Sequence, residues 1–445
     1  RYKRKKNKRV QPQLGIAYIA SYLLSQGLDV QILDGEVNDY SLEEMVDRIC
    51  DLKPMAVGIT TPTEDRFNAI DLANMIKARA KGIFVFAGGP HFSYSAQDAL
   101  ENVPGIDAVV IGEGEFTSLE LLKSFEKGKR TDRFHDINGC AFRDVHNKVV
   151  ITPPRERLVD PNEMPNPAWH LYDMDKYRCW LSVEEKTRAI GVISSRGCPY
   201  LCSFCSNSLN RKVRYRNPAH FIDEVQMLHE RYGFPGLNFQ DDSFTANAKH
   251  VERICHEILR RGLKLRWYCS LRINNTTREL LELMKEAGCV ALGFGVESGS
   301  DKVLKLIKKG TDTDMIRRTL TLVKQVGFNH VWLFMMFSLP GETLEDIRIG
   351  SDFENEMRLL LYGEKGPKII LGGVTYIYPG TELETIARKN GNVFPPDFSW
   401  NRHFETDRAK LFRTNPYVPH FENPGLPLEA IYDFTARNNS PSAFA

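Results

Sequence analysis

The first 126 residues alternate between two patterns of hydrophobic and polar positions. Short runs rich in Val, Ile and Ala predict strands at 30–33, 56–60, 83–87 and 108–111. Segments with hydrophobic residues at helical spacing predict helices at 15–26, 42–52, 65–79, 94–101 and 115–126. This alternation is typical of βαβ units, in which helices cover both faces of a parallel sheet. Residues 1–126 are therefore predicted to form a doubly wound α/β domain, with a first strand expected upstream of residue 1.

Polar or glycine-rich turns follow the last three of these strands. They are Thr60-Thr61-Pro62-Thr63, Gly88-Gly89-Pro90-His91 and Gly112-Glu113-Gly114-Glu115. Ligands of open α/β sheets bind at the carboxyl ends of strands, and glycine allows backbone to approach a ligand closely. The turns therefore predict one ligand-binding edge. Taken alone, the glycines are also explained by tight turns from strand to helix.

A second alternation of strands and helices runs from residue 186 to about residue 385. Strands are predicted at 190–194, 236–240, 265–269, 290–294, 330–336 and 369–376. Helices are predicted between them, at 217–231, 247–261, 276–287, 312–326 and 343–358. This pattern predicts a (β/α)6 partial TIM barrel, whose active site lies at the carboxyl ends of the strands.

Two segments without this alternation flank the predicted barrel. Residues 127–185 contain several prolines, which stiffen a segment and remove backbone donors, so we expect an ordered connector. Within it, 139–142 and 149–152 are candidates for a hairpin. Residues 386–445 are rich in Pro, Asn and aromatic residues, with a helical pattern at 426–437. We expect this segment to cap the barrel opening and to shape the substrate pocket.

Composition narrows the class of protein. The chain has 445 residues, is 42% hydrophobic and carries a net charge of +2, which is typical of a globular protein of two or three domains. It contains no apolar run of transmembrane length, and its nine cysteines fit a reducing compartment, so a cytoplasmic protein is expected. The first nine residues are strongly basic, but no aromatic platform accompanies them. A solvated loop is therefore favoured over an arm that binds nucleic acid.

The most informative motif is a loop with three cysteines, Cys198, Cys202 and Cys205, in the spacing C-x3-C-x2-C. A [4Fe–4S] cluster is held by cysteine thiolates, and three of them leave one iron open to a small molecule. A zinc site would need a fourth ligand, and none follows within a few residues. The six other cysteines show no cluster spacing, so no second cluster is expected. They are Cys50, Cys140, Cys179, Cys255, Cys269 and Cys289.

This loop resembles the cluster loop of the radical S-adenosylmethionine (SAM) superfamily. The resemblance implies that the open iron binds the amino and carboxylate groups of SAM, and that the reduced cluster cleaves SAM to a 5′-deoxyadenosyl radical. It also implies an external one-electron reductant of the flavodoxin or ferredoxin type. Tyr200 and Phe204 are implied to pack near the adenine, although shielding the cluster from water would also explain them.

The same resemblance assigns roles to residues at later strand ends. Asp241 and Asp242 would face the SAM ammonium group, with a structural role for one of them. Arg272 would reach the SAM carboxylate or the substrate, unless it forms a surface ion pair. Glu297 and Ser298 would bind the ribose hydroxyls. Ser338 and Pro340 would lie near the adenine, and Ser338 stands where the family more often has Gly.

The first domain resembles the cobalamin-binding domain of cobalamin-dependent radical SAM enzymes. The three turns and the opening residues 11–20 carry this resemblance. This family includes many methylases and the anaerobic Mg-protoporphyrin monomethyl ester cyclases. The D-x-H-x-x-G motif is absent, since Asp34 is followed by Gly35 and Glu36. His91 could ligate cobalt or form hydrogen bonds within its turn. The residues implied to bind cobalamin are Thr60, Thr61, Pro62, Gly88, Gly89, His91, Gly112, Glu113 and Glu115.

The resemblance implies a cobalamin-dependent methyltransferase that acts on an unactivated carbon, with one SAM as methyl source and a second as radical source. Three alternatives stay open. They are cobalamin-dependent cyclisation or oxidative rearrangement, radical coupling without cobalamin, and a non-catalytic iron–sulfur protein that binds RNA. The architecture alone does not choose among small-molecule, lipid and peptide substrates.

Overall fold

The computed structural model describes residues 10–128, 134–156, 158–177, 179–181, 186–206, 211–364, 370–390, 394, 397–405 and 415–437. The chain forms two compact units. The first contains residues 1–178 and 396–404, and the second contains residues 179–395 and 405–445. The basic residues 1–9 lie outside the described residues. No helix in the described part of the chain is long and apolar enough to cross a membrane.

The first unit is an α/β sheet domain. Its helices are α1 (Leu14–Ser25), α2 (Leu42–Leu52), α3 (Arg66–Arg79), α4 (Gly89–Tyr94), α5 (Ala96–Asn102) and α6 (Gly114–Gly128). Its strands are β1 (Ala56–Thr60), β2 (Phe84–Gly88), β3 (Ala108–Val110), β4 (Cys140–Arg143) and β5 (Val149–Ile151). They lie in the order β1-β2-β3-β4-β5, with β1 to β3 parallel and β4 and β5 antiparallel. The predicted hairpin is confirmed, and it extends the sheet at β3.

The predicted strand at 30–33 is wrong. Residues 28–34 form no strand, although Leu28 and Val30 pack against the hydrophobic core around Phe84. The hydrophobic pattern of this segment therefore indicates that its side chains pack against the core. It does not indicate that the segment has a hydrogen-bonded neighbour strand. The segment ends at Asp34, whose Oδ1 accepts hydrogen bonds from the backbone N–H groups two and three residues later.

The second unit is the predicted partial barrel. Its strands are β6 (Cys179–Trp180), β7 (Arg188–Val192), β8 (Ser195–Arg196), β9 (Arg214–Tyr215), β10 (Gly236–Phe239), β11 (Arg266–Leu271), β12 (Cys289–Glu297), β13 (His330–Phe337) and β14 (Ile370–Val374). The main sheet has the order β14-β13-β12-β11-β10-β7-β6. All neighbouring pairs from β7 to β14 in this sheet are parallel, and β6 is antiparallel at the edge. This confirms the six predicted barrel strands.

Helices connect these strands. They are α7 (Pro218–Tyr232), α8 (Ala248–Arg260), α9 (Arg278–Glu286), α10 (Asp301–Leu306), α11 (Thr313–Val326), α12 (Leu344–Tyr362), α13 (Glu382–Asn390) and α14 (Leu428–Arg437). Side-chain caps fix several of the starts: Asp312 accepts from Met315 N at 2.7 Å before α11, and Thr343 and Asp346 form a reciprocal capping box at α12. Helix α10 was not predicted, because a helix of six residues is too short to show a clear helical spacing of hydrophobic residues.

The barrel strands bury alternate side chains. In β13, Leu333 and Met335 are fully buried, whereas Trp332 and Phe334 keep some exposure. Gly293 of the neighbouring strand lies beside this second face, and a Cβ there would collide with the Tyr268 hydroxyl and the Phe334 ring. The second face therefore carries large aromatic side chains because glycine on the adjacent strand leaves room for them.

The C-terminal residues divide between the units. Helix α14 belongs to the second unit, where Leu428 and Ile431 pack with Phe337 and Ile347. Residues 397–404, by contrast, belong to the first unit. This division differs from the predicted one, in which 386–445 forms a single C-terminal segment. The polar side chains of residues 397–404 find partners in the first unit, as described below.

Candidate active site

The cysteine loop follows β7 and β8, and its three cysteines form no disulfide. Cys198 and Cys202 are half-buried. Cys205 is exposed as a whole residue, although its sulfur is largely shielded from solvent. Burial of the sulfur raises the pKa of Cys205 to about 11, so the metal-free thiol is protonated at neutral pH. Iron ligation requires thiolates, and a bound metal deprotonates a coordinating thiol.

Both predicted aspartates hold the entrance of this loop. Asp241 accepts hydrogen bonds from Ser194 N, from Ser194 Oγ at 2.8 Å and from Ser195 Oγ at 2.6 Å. Asp242 Oδ2 accepts from Gly197 N, directly before Cys198, at 3.0 Å. Burial raises the pKa of Asp241 to about 6. In this structure the two side chains anchor the loop, which is the structural role that the sequence allowed for one of them.

Arg272 lies against the cysteine loop at the end of β11. Its Nη1 donates to Cys202 Sγ at 3.3 Å, and its Nη2 donates to Lys309 O. The guanidinium carbon lies 3.7 Å from the centre of the Tyr200 ring. Because Arg272 is buried and makes these contacts, the alternative of a surface ion pair is wrong.

Glu297 forms a buried ion pair that the sequence did not predict. Lys309 Nζ lies 2.7 Å from Glu297 Oε1, and the two side chains are 5% and 10% exposed. Glu297 has a φ of 70°, a left-handed conformation that is uncommon for a residue with a side chain. A Cβ at Gly295 would lie 2.6 Å from Glu297 Oε1 and 2.8 Å from Lys309 Nζ, so glycine makes room for this pair.

The remaining SAM candidates also lie in the second unit. Phe204 is 5.9 Å from Lys309 Nζ, measured to the ring centre, and the Tyr200 hydroxyl accepts from Asn275 Nδ2 at 2.9 Å. Ser298 is buried, with its Oγ accepting from the Ser300 backbone, and Pro340 is partly exposed. A cleft of about 830 Å³ opens beside the loop. Its lining includes Pro199, Tyr200, Leu201, Asn274, Lys309 and Met315.

The backbone conformation at Ser338 explains why the family more often has glycine at this position. It has a φ of 61°, which glycine adopts at little cost, and it is fully buried. Its Oγ donates to Phe421 O at 2.7 Å. The serine is therefore tolerated because its hydroxyl is satisfied by a segment outside the barrel strands.

Glu342, beside this turn, gives a testable pH dependence. Burial raises its pKa to about 8, and Leu339 N donates to its Oε2 at 3.1 Å. The folded protein therefore binds this proton more tightly than the unfolded chain, whose carboxyl has a pKa of about 4.3. The stabilisation is present below that value and is lost as the pH rises through about 8. We expect Glu342→Gln to lose less stability than the wild type between pH 5.5 and 9, measured by urea unfolding; parallel curves would contradict this.

The donor set of the loop fits an iron–sulfur cluster. A cubane takes one thiolate for each ligated iron, and the loop supplies three cysteines. The Arg272 and Lys309 cations beside the loop offset the negative charge of thiolates and cluster. The three cysteines therefore fit the cluster.

The three turns that the sequence assigns to a ligand lie at the ends of β1, β2 and β3. Thr60 and Gly88 are paired in register. Gly89 has a φ of 85°, and a Cβ there would collide with Thr60 Oγ1. Gly112 has a φ of 80°, with open space where a Cβ would stand. Small residues and backbone groups at this edge fit the close approach of a large ligand such as cobalamin.

The other candidates at this edge are engaged by the protein itself. Thr61 Oγ1 donates to the carbonyl of Pro62 at 3.0 Å. Glu113 Oε2 accepts from Val159 N at 2.9 Å, so this carboxylate holds the connector, and Glu115 is buried.

His91 is a fully buried hydrogen-bonding residue. Its Nε2 lies 3.1 Å from Asn401 Oδ1, and its Nδ1 lies 3.2 Å from Thr63 Oγ1. Burial lowers its pKa to about 3, so the ring is neutral. Both nitrogens are occupied in this structure. His91 therefore makes hydrogen bonds, as the second sequence interpretation held; one partner is local, since Ser95 Oγ lies 3.3 Å from its Nε2, and the others lie in distant segments.

Comparisons with known proteins agree with both units. A model of the radical SAM superfamily matches residues 192–349, and a model of the B12 binding domain matches residues 6–122. A Pyrococcus horikoshii protein named as an uncharacterized methyltransferase, PH0819, is 30% identical over 435 residues, or 95% of this chain and 90% of that protein. The anaerobic magnesium-protoporphyrin IX monomethyl ester cyclase of Rubrivivax gelatinosus is 29% identical over 340 residues, or 76% of this chain and 60% of the cyclase.

A solved structure shows the same fold. The radical S-adenosylmethionine methyltransferase TsrM from Kitasatospora setae, with cobalamin and a [4Fe-4S] cluster bound, matches with a TM-score of 0.70 and 19% identity. The match covers 93% of this chain and 82% of TsrM. Both the doubly wound domain and the partial barrel predicted from the sequence are thus confirmed.

Proposed function

We propose that this chain, which belongs to the cobalamin-dependent radical SAM enzymes, transfers a methyl group to an unactivated carbon of its substrate. Its cofactors are a [4Fe–4S] cluster, SAM and cobalamin. When bound, the reduced cluster and SAM supply a 5′-deoxyadenosyl radical that removes hydrogen from carbon, and cobalamin supplies the methyl group. The observation that carries the proposal is the coexistence of the three-cysteine loop with a glycine-lined ligand edge in one chain.

The residues around the loop have separate tasks in this proposal. Cys198, Cys202 and Cys205 hold the cluster. Arg272 fixes the loop through Cys202 Sγ and offsets negative charge there. Tyr200 and Phe204 exclude water from the cluster, and a dry site strengthens every charge interaction in it.

Glu297 is suited to hold the ribose of SAM. Its carboxylate has four lone-pair positions, of which Lys309 occupies one, so oxygens remain to accept from two vicinal hydroxyls. Lys309 fixes the orientation of this carboxylate before any ligand arrives. The fixed geometry lowers the entropic cost of binding. Ser298, Ser338, Pro340, Asp241 and Asp242 complete the set that we assign to this site.

In the first unit we assign the three turns to cobalamin. The assigned residues are Thr60, Thr61, Pro62, Gly88, Gly89, Gly112, Glu113 and Glu115, with His91 as a supporting residue. In domain terms, 1–126 would bind cobalamin, 127–185 would connect, and 186–385 would carry the radical chemistry.

The partners follow from the chemistry. The cluster needs an external one-electron reductant of the flavodoxin or ferredoxin type, and the loop residue Leu201 is 57% exposed. We assign the substrate to the small-molecule, lipid or peptide classes. The cysteines of the described residues form no disulfide, which supports work in a reducing compartment such as the cytoplasm.

The products distinguish methylation from the alternatives. Full-length protein would be loaded anaerobically with iron, sulfide and cobalamin, then incubated with SAM and a low-potential reductant. No acceptor substrate is present, so a methyltransferase would form about one S-adenosylhomocysteine per bound cobalamin, as cobalamin takes the methyl group of SAM, as well as 5′-deoxyadenosine. The S-adenosylhomocysteine should be absent from a control loaded without cobalamin. Formation of 5′-deoxyadenosine with no S-adenosylhomocysteine would favour cyclisation or coupling and would contradict methyl transfer.

A further inference from the structure

A short C-terminal segment completes the first unit. This tail segment, residues 397–404, lies more than two hundred residues beyond the end of the B12 binding domain match at residue 122. Trp400 and Asn401 within it are 4% and 2% exposed. The predicted function did not use either residue.

One carboxylate in the first unit captures the segment. Asp98 Oδ2, on α5, accepts from Ser399 Oγ at 3.0 Å, from Asn401 N at 3.0 Å and from Asn401 Nδ2 at 2.6 Å. Charge-assisted hydrogen bonds of this kind are about twice as strong as neutral ones. Asp98 therefore fixes both the backbone and the side-chain orientation of Asn401.

From this anchor, Asn401 reaches two ligand turns. With its Nδ2 donating to Asp98, its Oδ1 must accept, so His91 Nε2 carries the proton and donates to it at 3.1 Å. His91 Nδ1 is then the acceptor for the Thr63 hydroxyl at 3.2 Å. The chain of contacts runs from the tail through the turn after β2 to the turn after β1.

A second path from the tail ends at the same residue. Arg66 Nε donates to Trp400 O at 2.6 Å, and Arg66 Nη1 donates to Thr63 O at 2.8 Å. Arg66 is fully buried, and its guanidinium carbon lies 5.6 Å from the centre of the Trp400 ring. Its Nη2 has no hydrogen-bond partner among the described residues. Losing the Trp400 carbonyl as well would leave a buried cation with a single hydrogen bond to the protein.

These contacts are strong because they are buried. Hydrogen bonds in a low dielectric are strengthened, and a buried donor left without its acceptor costs more than the bond itself contributed. Thr63, His91, Arg66 and Asn401 are each less than 5% exposed. The turns at 60–63 and 88–91 are joined directly by the Thr63–His91 hydrogen bond and by the pairing of Thr60 with Gly88, and the tail segment adds a buried contact to each turn.

We propose that the tail segment is a positioning element of the cobalamin site, in which Asn401 and Trp400 hold the first two ligand turns in their binding geometry. This inference rests on the proposed function, because it takes those turns as the cobalamin-binding edge. Neither tail residue is assigned a contact with the cofactor. They act through His91 and Arg66.

The test is a cobalamin titration of full-length, cluster-loaded protein, with hydroxocobalamin as the probe and absorbance as the readout. Asn401→Ala removes the link to His91, and Asp98→Ala removes the anchor without touching either turn. We expect each variant to bind cobalamin about tenfold more weakly than the wild type does. A tenfold loss corresponds to the contribution of about one buried hydrogen bond. Because both act through one network, the double variant should be weakened by less than the product of the single effects.

Two neighbours serve as matched controls. Arg402→Ala changes the exposed residue next to Asn401, whose guanidinium donates within the segment to Asp397 O. Gln97→Ala changes the exposed residue next to Asp98, which pairs with Glu101. Both should bind cobalamin as the wild type does. Iron content should stay at the wild-type level in all four variants, since the cysteine loop belongs to the second unit.

The outcomes separate the inference from the function on which it rests. If the wild type binds cobalamin and both Asn401→Ala and Asp98→Ala bind it equally well, the inference is overturned and the function stands. A lower melting temperature with unchanged affinity would also overturn it, because that marks a structural role alone. If the wild type binds no cobalamin, both the inference and the proposed function are contradicted. Should Asn401→Ala fail to fold, Asp98→Ala decides.

Discussion

Replacing Cys202 by Ala is expected to abolish SAM cleavage and to leave the protein without a stable cluster. Each thiolate of the loop would hold one iron, and two thiolates leave a second iron of the cubane without a protein ligand. The substitution also removes the sulfur that accepts from Arg272 Nη1 at 3.3 Å. The measurements are iron and sulfide content, visible absorbance, and 5′-deoxyadenosine formed with SAM and reductant.

Cys50→Ala is the control for this experiment. Cys50 is a partly buried free thiol of the first unit with no role in the proposed chemistry. Its variant should retain iron and 5′-deoxyadenosine formation at the wild-type level. Retained 5′-deoxyadenosine formation by Cys202→Ala would contradict the assignment of the loop to the cluster.

Replacing Lys309 by Met is expected to lower the free energy of unfolding by about 3 kcal/mol and to weaken SAM binding. The reason is the Glu297 carboxylate, which is left buried without the ammonium group that lies 2.7 Å away. Removing one partner of a buried ion pair is costly because the remaining charge is no longer compensated. Urea unfolding and SAM titration by calorimetry measure the two effects.

The adjacent lysine offers a matched control. Lys308 pairs with Glu382 at 2.6 Å, but the two side chains are 51% and 46% exposed. Lys308→Met should therefore change stability by no more than about 0.5 kcal/mol. The double variant Lys309→Met/Glu297→Gln should recover stability relative to Lys309→Met, because the buried charge is gone. Equal stability of the Lys309 and Lys308 variants would contradict this account of the pair.

The sequence predicted the elements whose signals are local. The six barrel strands, the hairpin and the cysteine loop were found because periodicity, turn residues and cysteine spacing lie within short windows. The predicted strand at 30–33 was wrong because it, too, rested on a local signal. Its pattern indicates a buried face, but whether an extended segment has a strand beside it depends on the rest of the sheet.

The parts that could not be predicted depend on contacts between distant positions. Lys308 and Lys309 are identical in type, and only the fold shows that one is exposed while the other meets Glu297. Asn401 and His91 lie 310 positions apart, so no local pattern joins them. The aspartates at 241 and 242 were assigned a role through the family resemblance of this strand end, but their hydrogen bonds to the loop entrance required the structure.

Counting cobalamin and iron in the same anaerobic preparation of the full-length protein tests the central claim most directly. The protein would be purified with cobalamin supplied, its absorbance recorded, and the bound cobalamin extracted. The account predicts about one cobalamin and about four irons per chain. An intact cluster with no bound cobalamin would contradict a cobalamin-dependent methyltransferase and would point to radical coupling without methyl transfer.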